Sequence, residues 1–92
     1  MRNHFSLRII TPDGIIFEND TVSALHLRSS LGGLTLLAHH APLLTMVVSE
    51  KIALELGDGP ERLEYQIAGG TLEFSENQCT LLTSHAQLFK DH

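Results

Sequence analysis

Apolar residues in this chain recur at every second position, and turn signals cut the runs before a helical repeat can build. From Phe5 to Ile10 the order is Phe-Ser-Leu-Arg-Ile-Ile, which puts Phe5, Leu7 and Ile9 on one side of a strand and Ser6 and Arg8 on the other. Lys51 to Leu56 alternates likewise, with Ile52, Leu54 and Leu56 together, and Leu63 to Ala68 follows with Leu63, Tyr65 and Ile67. Leu43 to Val48, Thr71 to Phe74 and Cys79 to Thr83 are apolar and β-branched enough for further strands. Before residue 84 no stretch of eleven or more positions repeats apolar residues at helical spacing. The fold class is therefore all-β. About ten short strands in one domain need a flattened sandwich or barrel, because a single open sheet would leave its second face uncovered.

The punctuation fits that reading. Pro12-Asp13-Gly14 combines a pre-set φ, a side chain that bonds its own backbone and a residue tolerant of positive φ, so it predicts a tight turn. Ile15 to Glu18 then reads as a short strand, Asn19-Asp20 as a second turn, and Thr21 to Arg28 as a longer strand contributing Val22, Leu25 and Leu27 to the core. Gly57-Asp58-Gly59-Pro60 closes a hairpin between the two alternating strands around it. Gly69-Gly70 marks a bend, a bulge or a close backbone approach. Ser84 to His92 is too short and too polar to hold a helix by itself.

Length and charge remove several function classes. A chain of 92 residues builds one core, and its formal charge of −5 with scattered Lys and Arg argues against phosphate backbones and anionic lipid as partners. The apolar runs fall far short of the ~20 residues that cross a bilayer, and nothing at the N-terminus reads as a signal peptide. Cys79, the single cysteine, sits in an apolar strand and reads as a small core residue, so neither an internal disulfide nor a thiolate cage is expected.

Six histidines invite a metal reading, but the spacing opposes it. A strand offers two imidazoles to one ion through His-x-His, whereas adjacent His39 and His40 leave opposite faces. No Gly-x-Ser-x-Gly occurs, the glutamates fall on polar strand positions or turns, and neither glycine pair opens a phosphate loop. No catalytic residue, metal, cofactor or small-molecule substrate is expected for this chain.

The stretch from Leu31 to Thr45, Leu-Gly-Gly-Leu-Thr-Leu-Leu-Ala-His-His-Ala-Pro-Leu-Leu-Thr, departs from plain scaffold. With its flanks it resembles the N-terminal domain of the epsilon subunit of F-type ATP synthases, equivalent to the mitochondrial delta subunit. Leu7 to Gly14, with its Thr-Pro-Asp turn, is similar to the family's opening strand, followed by Phe17 and a strand from Val22. Gly32, Leu34, Leu37 and His40 to Thr45 stand at positions of the family's Gly-Glu-Leu-Gly-Ile-Leu-Pro-Gly-His-Ala-Pro-Leu-Leu-Thr pattern. Ala68-Gly69-Gly70 with Leu72 to Ser75, and Thr80-Leu81-Leu82 with Ala86, resemble its later segments in the same order. Three positions differ: Gly33 stands at the family's acid, Thr35 at its second glycine, and Ala38-His39 at its Pro-Gly.

The resemblance implies a flattened β-sandwich over residues 1–92 at the foot of a rotating central stalk, coupling the gamma subunit to the membrane ring of c subunits during ion-driven ATP synthesis. It implies a peripheral place on the cytoplasmic side of a bacterial inner membrane, or on the stromal side of a thylakoid. One sandwich face should carry an apolar patch for gamma. Carried over by position, the contacts fall on Thr11, on Ser30, Leu31, Gly32, Gly33, Leu34 and Thr35, and on His40, Ala41, Pro42, Leu43 and Thr45. A typical epsilon subunit continues into a two-helix hairpin, and that hairpin is not expected within this chain, which ends at His92. Two other readings stay open at this point: a small β-barrel metalloenzyme using His39, His40 and a third histidine, and a free-standing β-sandwich adaptor.

Overall fold

A computed structural model describes residues 3–91. Nine strands follow one another: β1 (Phe5–Thr11), β2 (Gly14–Ser29), β3 (Gly32–Leu37), β4 (Leu43–Val47), β5 (Lys51–Leu56), β6 (Arg62–Ile67), β7 (Gly70–Ser75), β8 (Gln78–Leu82) and β9 (Ala86–Asp91). Pairing runs β1-β8-β7-β4-β2-β5-β6-β9, with β3 on β2 and β1 also on β2. The long β2 therefore belongs to both layers of the sandwich. Its first half pairs with β1, its second half with β3 and β5, and its last residue, Ser29, meets Val47 of β4. All pairings are antiparallel except β1 with β8, where the first strand lies alongside a late one in the same direction.

The alternation predicted for β1, β5 and β6 is what fills the space between the layers. Phe5, Leu7, Ile9, Ile52 and Leu54 are buried to within 1% of full, and Tyr65 and Ile67 join them. Phe5 meets Phe74 edge to face at 5.3 Å, and Phe17 meets Tyr65 in the same manner at 5.7 Å, geometries favoured by the ring quadrupoles. Gly57 to Glu61 closes the β5–β6 hairpin where the turn residues predict it, with the Leu56 amide donating to the Glu61 carbonyl.

Two local readings change. Asn19-Asp20 is no turn: β2 runs straight through it, and one extra residue is taken up between the Phe5–Val22 and Leu7–Asn19 pairs. That bulge increases the local bend, and it sits where β2 leaves one layer for the other. The Asn19 side-chain oxygen accepts hydrogen bonds from the Thr21 amide and hydroxyl, the local bonding that mimics a turn signal. Second, Ser30 to Thr35, which the resemblance reads as a loop, is a tight turn at Ser30-Leu31 that Ser29 ties on both sides, followed by the edge strand Gly32–Leu37 on β2. The segment after Ser84 forms no helix and instead contributes β9, paired with β6; His92 lies outside the described residues.

Cys79 is 2% exposed in β8, and burial pushes its thiol up to about 12. The folded state thus holds this proton more tightly than the unfolded chain, whose thiol titrates near ~8.5. The corresponding stability is complete below that value and is lost as pH rises towards the folded one. Urea midpoints measured between about pH 8 and pH 11 are expected to fall more steeply for the wild type than for Cys79→Ala. Equal slopes would contradict it.

Candidate docking site

Backbone registers define the outer face of the first layer. Ile15 pairs with Ile10, Ile10 with Leu82, Leu82 with Thr71 and Thr71 with Met46, so five strand segments place directly opposed residues in one row. Opposed residues share a face. At ~4.8 Å per strand the row spans roughly 20 Å. Beyond Met46, whose carbonyl accepts from the Ser30 amide, lies the β2–β3 turn with Leu31 91% exposed. Ile15, Leu82 and Met46 are each about half exposed or more, at 52%, 51% and 62%, and Leu44 and Val48 flank Met46 at 72% and 53%. The next row inwards is polar: Glu18, Arg8, Thr80 and Glu73 lead to Leu44. An apolar row of this length, rimmed by charge, is the signature of a protein-docking face.

Of the sites carried over from the sequence, Thr11, Ser30 and Leu31 lie at the two ends of that row, Leu43 and Thr45 face away from it, and Gly32 to Thr35 lie on β3. Thr11 closes the β1–β2 turn, 8% exposed, its hydroxyl accepting from the Asp13 amide. Gly32 and Gly33 are exposed at the start of β3, Leu34 is half-buried, and Thr35 is exposed. In β4 the half-buried Leu43 and Thr45 pair with buried Phe74 and Leu72, whereas Leu44 and Met46 point outward. The run Leu43 to Val48 carries too little polar alternation to reveal which residues face out; only the register does. Ile10, Ile15, Met46 and Leu82 were thus invisible as a group, being scattered over four strands.

The loop ahead of β4 is held from the opposite side. His39 adopts a left-handed φ of 65°, the conformation that suits glycine, and it stands where the resemblance expects one. Its amide donates to the Asn77 side-chain oxygen at 2.7 Å, while the Asn77 side-chain nitrogen donates to the His4 carbonyl at 2.8 Å. Asn77 thereby ties the N-terminal strand and the His39 loop to the β7–β8 turn. His40 donates from Nδ1 to the Ala41 carbonyl at 2.7 Å and packs its ring on Phe74 at 5.8 Å; Ala41 and Pro42 are exposed beside it.

Two further histidines bind protein groups through their rings. His4 Nε2 lies 2.9 Å from Asp58, and His26 bridges Thr35 at 3.0 Å to Glu55 at 2.6 Å. Among the described residues no three His, Cys, Asp or Glu side chains converge as a metal site.

A small two-layer β domain with an apolar row on its outer face is a docking module in form. The chain belongs to the ATP synthase delta/epsilon family: residues 4–88 match the model described as the beta-sandwich domain of the ATP synthase delta/epsilon chain. It is 33% identical to the ATP synthase epsilon chain of Clostridium botulinum strain Eklund 17B, across its whole length and 66% of that protein. It is 41% identical over 80 residues to the epsilon chain of Chlorobaculum tepidum, covering 86% of this chain and 88% of the other. The chain thus spans about two thirds of the clostridial relative. Its fold is similar, at a TM-score of 0.84 and 21% identity, to a chain in the Euglena gracilis mitochondrial ATP synthase, covering 92% of this chain and 53% of that one.

Proposed function

We propose that this chain is the β-sandwich domain of a central-stalk subunit of an F-type ATP synthase, extending over residues 1–92 and joining the gamma subunit to the ring of c subunits without a catalytic site of its own. Family membership supports the assignment, and the apolar row from Ile15 to Met46 is the observation that carries the docking role. That face suits gamma. The β2–β3 turn, with Leu31 at its tip, and the neighbouring residues Ser30 to Thr35 suit the ring. The complex would be peripheral to the cytoplasmic face of a bacterial inner membrane.

The test is association of the chain with gamma, wild type against Met46→Asp/Leu82→Asp. Both side chains are exposed in the isolated domain, at 62% and 51%, so the fold tolerates the change. Burying two such anchors is worth about 3 kcal/mol, so affinity should fall roughly 100-fold while the melting temperature stays within a few degrees. Unchanged binding to gamma would refute the assignment of this face.

A further inference from the structure

On the second layer, Arg28 of β2 lies directly opposite Gly33 of β3. Gly33 occupies the position at which the resemblance places an acid. An acidic side chain there would stand across the ladder from the Arg28 guanidinium, at the spacing of a cross-strand ion pair. With glycine the space stays open: a Cβ built on Gly33 meets nothing within 4 Å. A groove of about 350 Å³ runs past this point, with Arg28, Ser49, Lys51 and Arg62 along it. Arg28 and Ser49 are joined by the Arg28 amide donating to the Ser49 hydroxyl at 3.3 Å, which leaves the hydroxyl hydrogen available.

The charge in this groove is uneven. Arg62 lies 3.9 Å from both Glu55 and Glu64 and is balanced by them. Lys51 rests its ammonium 4.0 Å over the Phe89 ring, and among the described residues no carboxylate forms an ion pair with it. Among the described residues no carboxylate pairs with the exposed Arg28 guanidinium. A cationic notch thus opens beside the Ser30-Leu31 turn in a chain whose net charge is −5.

Resting on the stalk reading for the place of that turn, we propose that the notch receives a carboxylate from an acidic segment of the protein seated against the turn, so that the partner supplies the acid opposite Arg28. Two unbalanced cations fit one or two carboxylates. They are too few to draw a protein of this net charge to an anionic bilayer, where attraction accumulates over clusters of basic residues. Arg is suited to the task, because its fork holds a carboxylate through two parallel hydrogen bonds.

The probe is a hexaglutamate peptide, titrated into the isotope-labelled chain at low salt with hexalysine as control. Amide shifts are expected at Arg28, Gly33, Ser49 and Lys51, saturating in the millimolar range. Arg28→Ala should weaken the response at least tenfold, and Gly33→Glu should abolish it by filling the notch from within. Both sites are exposed, so folding is not at stake. Shifts that survive Arg28→Ala, an equal response to hexalysine, or binding of phosphatidylglycerol vesicles in place of the peptide would overturn the proposal. Met46→Asp/Leu82→Asp should leave the peptide response intact, so loss of gamma binding and loss of this site are read separately.

Discussion

Gly70→Ala is expected to destabilise the domain by roughly 3 kcal/mol or more, one of the largest effects open to a single methyl group. A Cβ at this position would sit 2.1 Å from the Leu82 carbonyl oxygen and 3.2 Å from the Thr83 Cα, both backbone atoms that cannot swing away. The glycine also holds a φ of 146°, outside the range that side chains adopt. Relief requires β7 and β8 to part at the Thr71–Leu82 pair, and β1 is joined to β8 through Ile10 and Leu82. Gly69→Ala is the graded comparison. Its φ of 69° is an accessible left-handed value, and the added atom would approach the Val47 carbonyl at 3.1 Å, so a cost of about 1–2 kcal/mol is expected. Urea midpoints of the two variants test the order. A Gly70→Ala domain within about 1 kcal/mol of wild type would show that the strands separate more easily than the register implies.

Asn77→Ala is expected to cost roughly 2–4 kcal/mol, for three separable reasons. Glu76 and Asn77 hold φ values of 51° and 61°, the pair of left-handed residues that makes a tight hairpin turn match the sheet twist. Asn is among the residues that tolerate this conformation, and Ala is not. The side chain additionally satisfies the His39 amide and the His4 carbonyl, at ~1 kcal/mol for each hydrogen bond. Asn77→Gly retains the turn and loses both bonds, so it should recover the conformational part alone. Equal losses for the two variants would place the whole effect in the hydrogen bonds.

The sandwich was legible because burial on one side of a strand writes itself as alternation, and β1, β5 and β6 carry it cleanly. Gly69-Gly70 was legible as one of three backbone events, and the close approach at Gly70 is the one realised. Where the reading failed, local chemistry pointed one way and tertiary pairing the other. Asn19 bonds its neighbour as a turn residue does, yet pairs with Leu7 inside a strand. Gly32 and Gly33 lower strand propensity, yet the Ser29–Gly32 register extends β3 to its full length. The apolar row was hidden because its members become neighbours only through five strand segments in register, a relation that spacing along the chain does not encode. The groove at Arg28 was hidden for the same reason: Gly33 was visible as a departure, but not the arginine opposite it.

The length of β2 bears on mechanics. Ile15 begins the apolar row and Leu31 tips the turn beyond the far end of the same strand, so both surfaces hang on one extended run of backbone. A pull between them travels along covalent bonds as tension, while the flanking β1, β3 and β5 are loaded in shear, with many ladder hydrogen bonds sharing the strain at once. No single bond has to yield first, as it would in an unzipping hairpin. The sandwich is in this respect a strut laced on both sides.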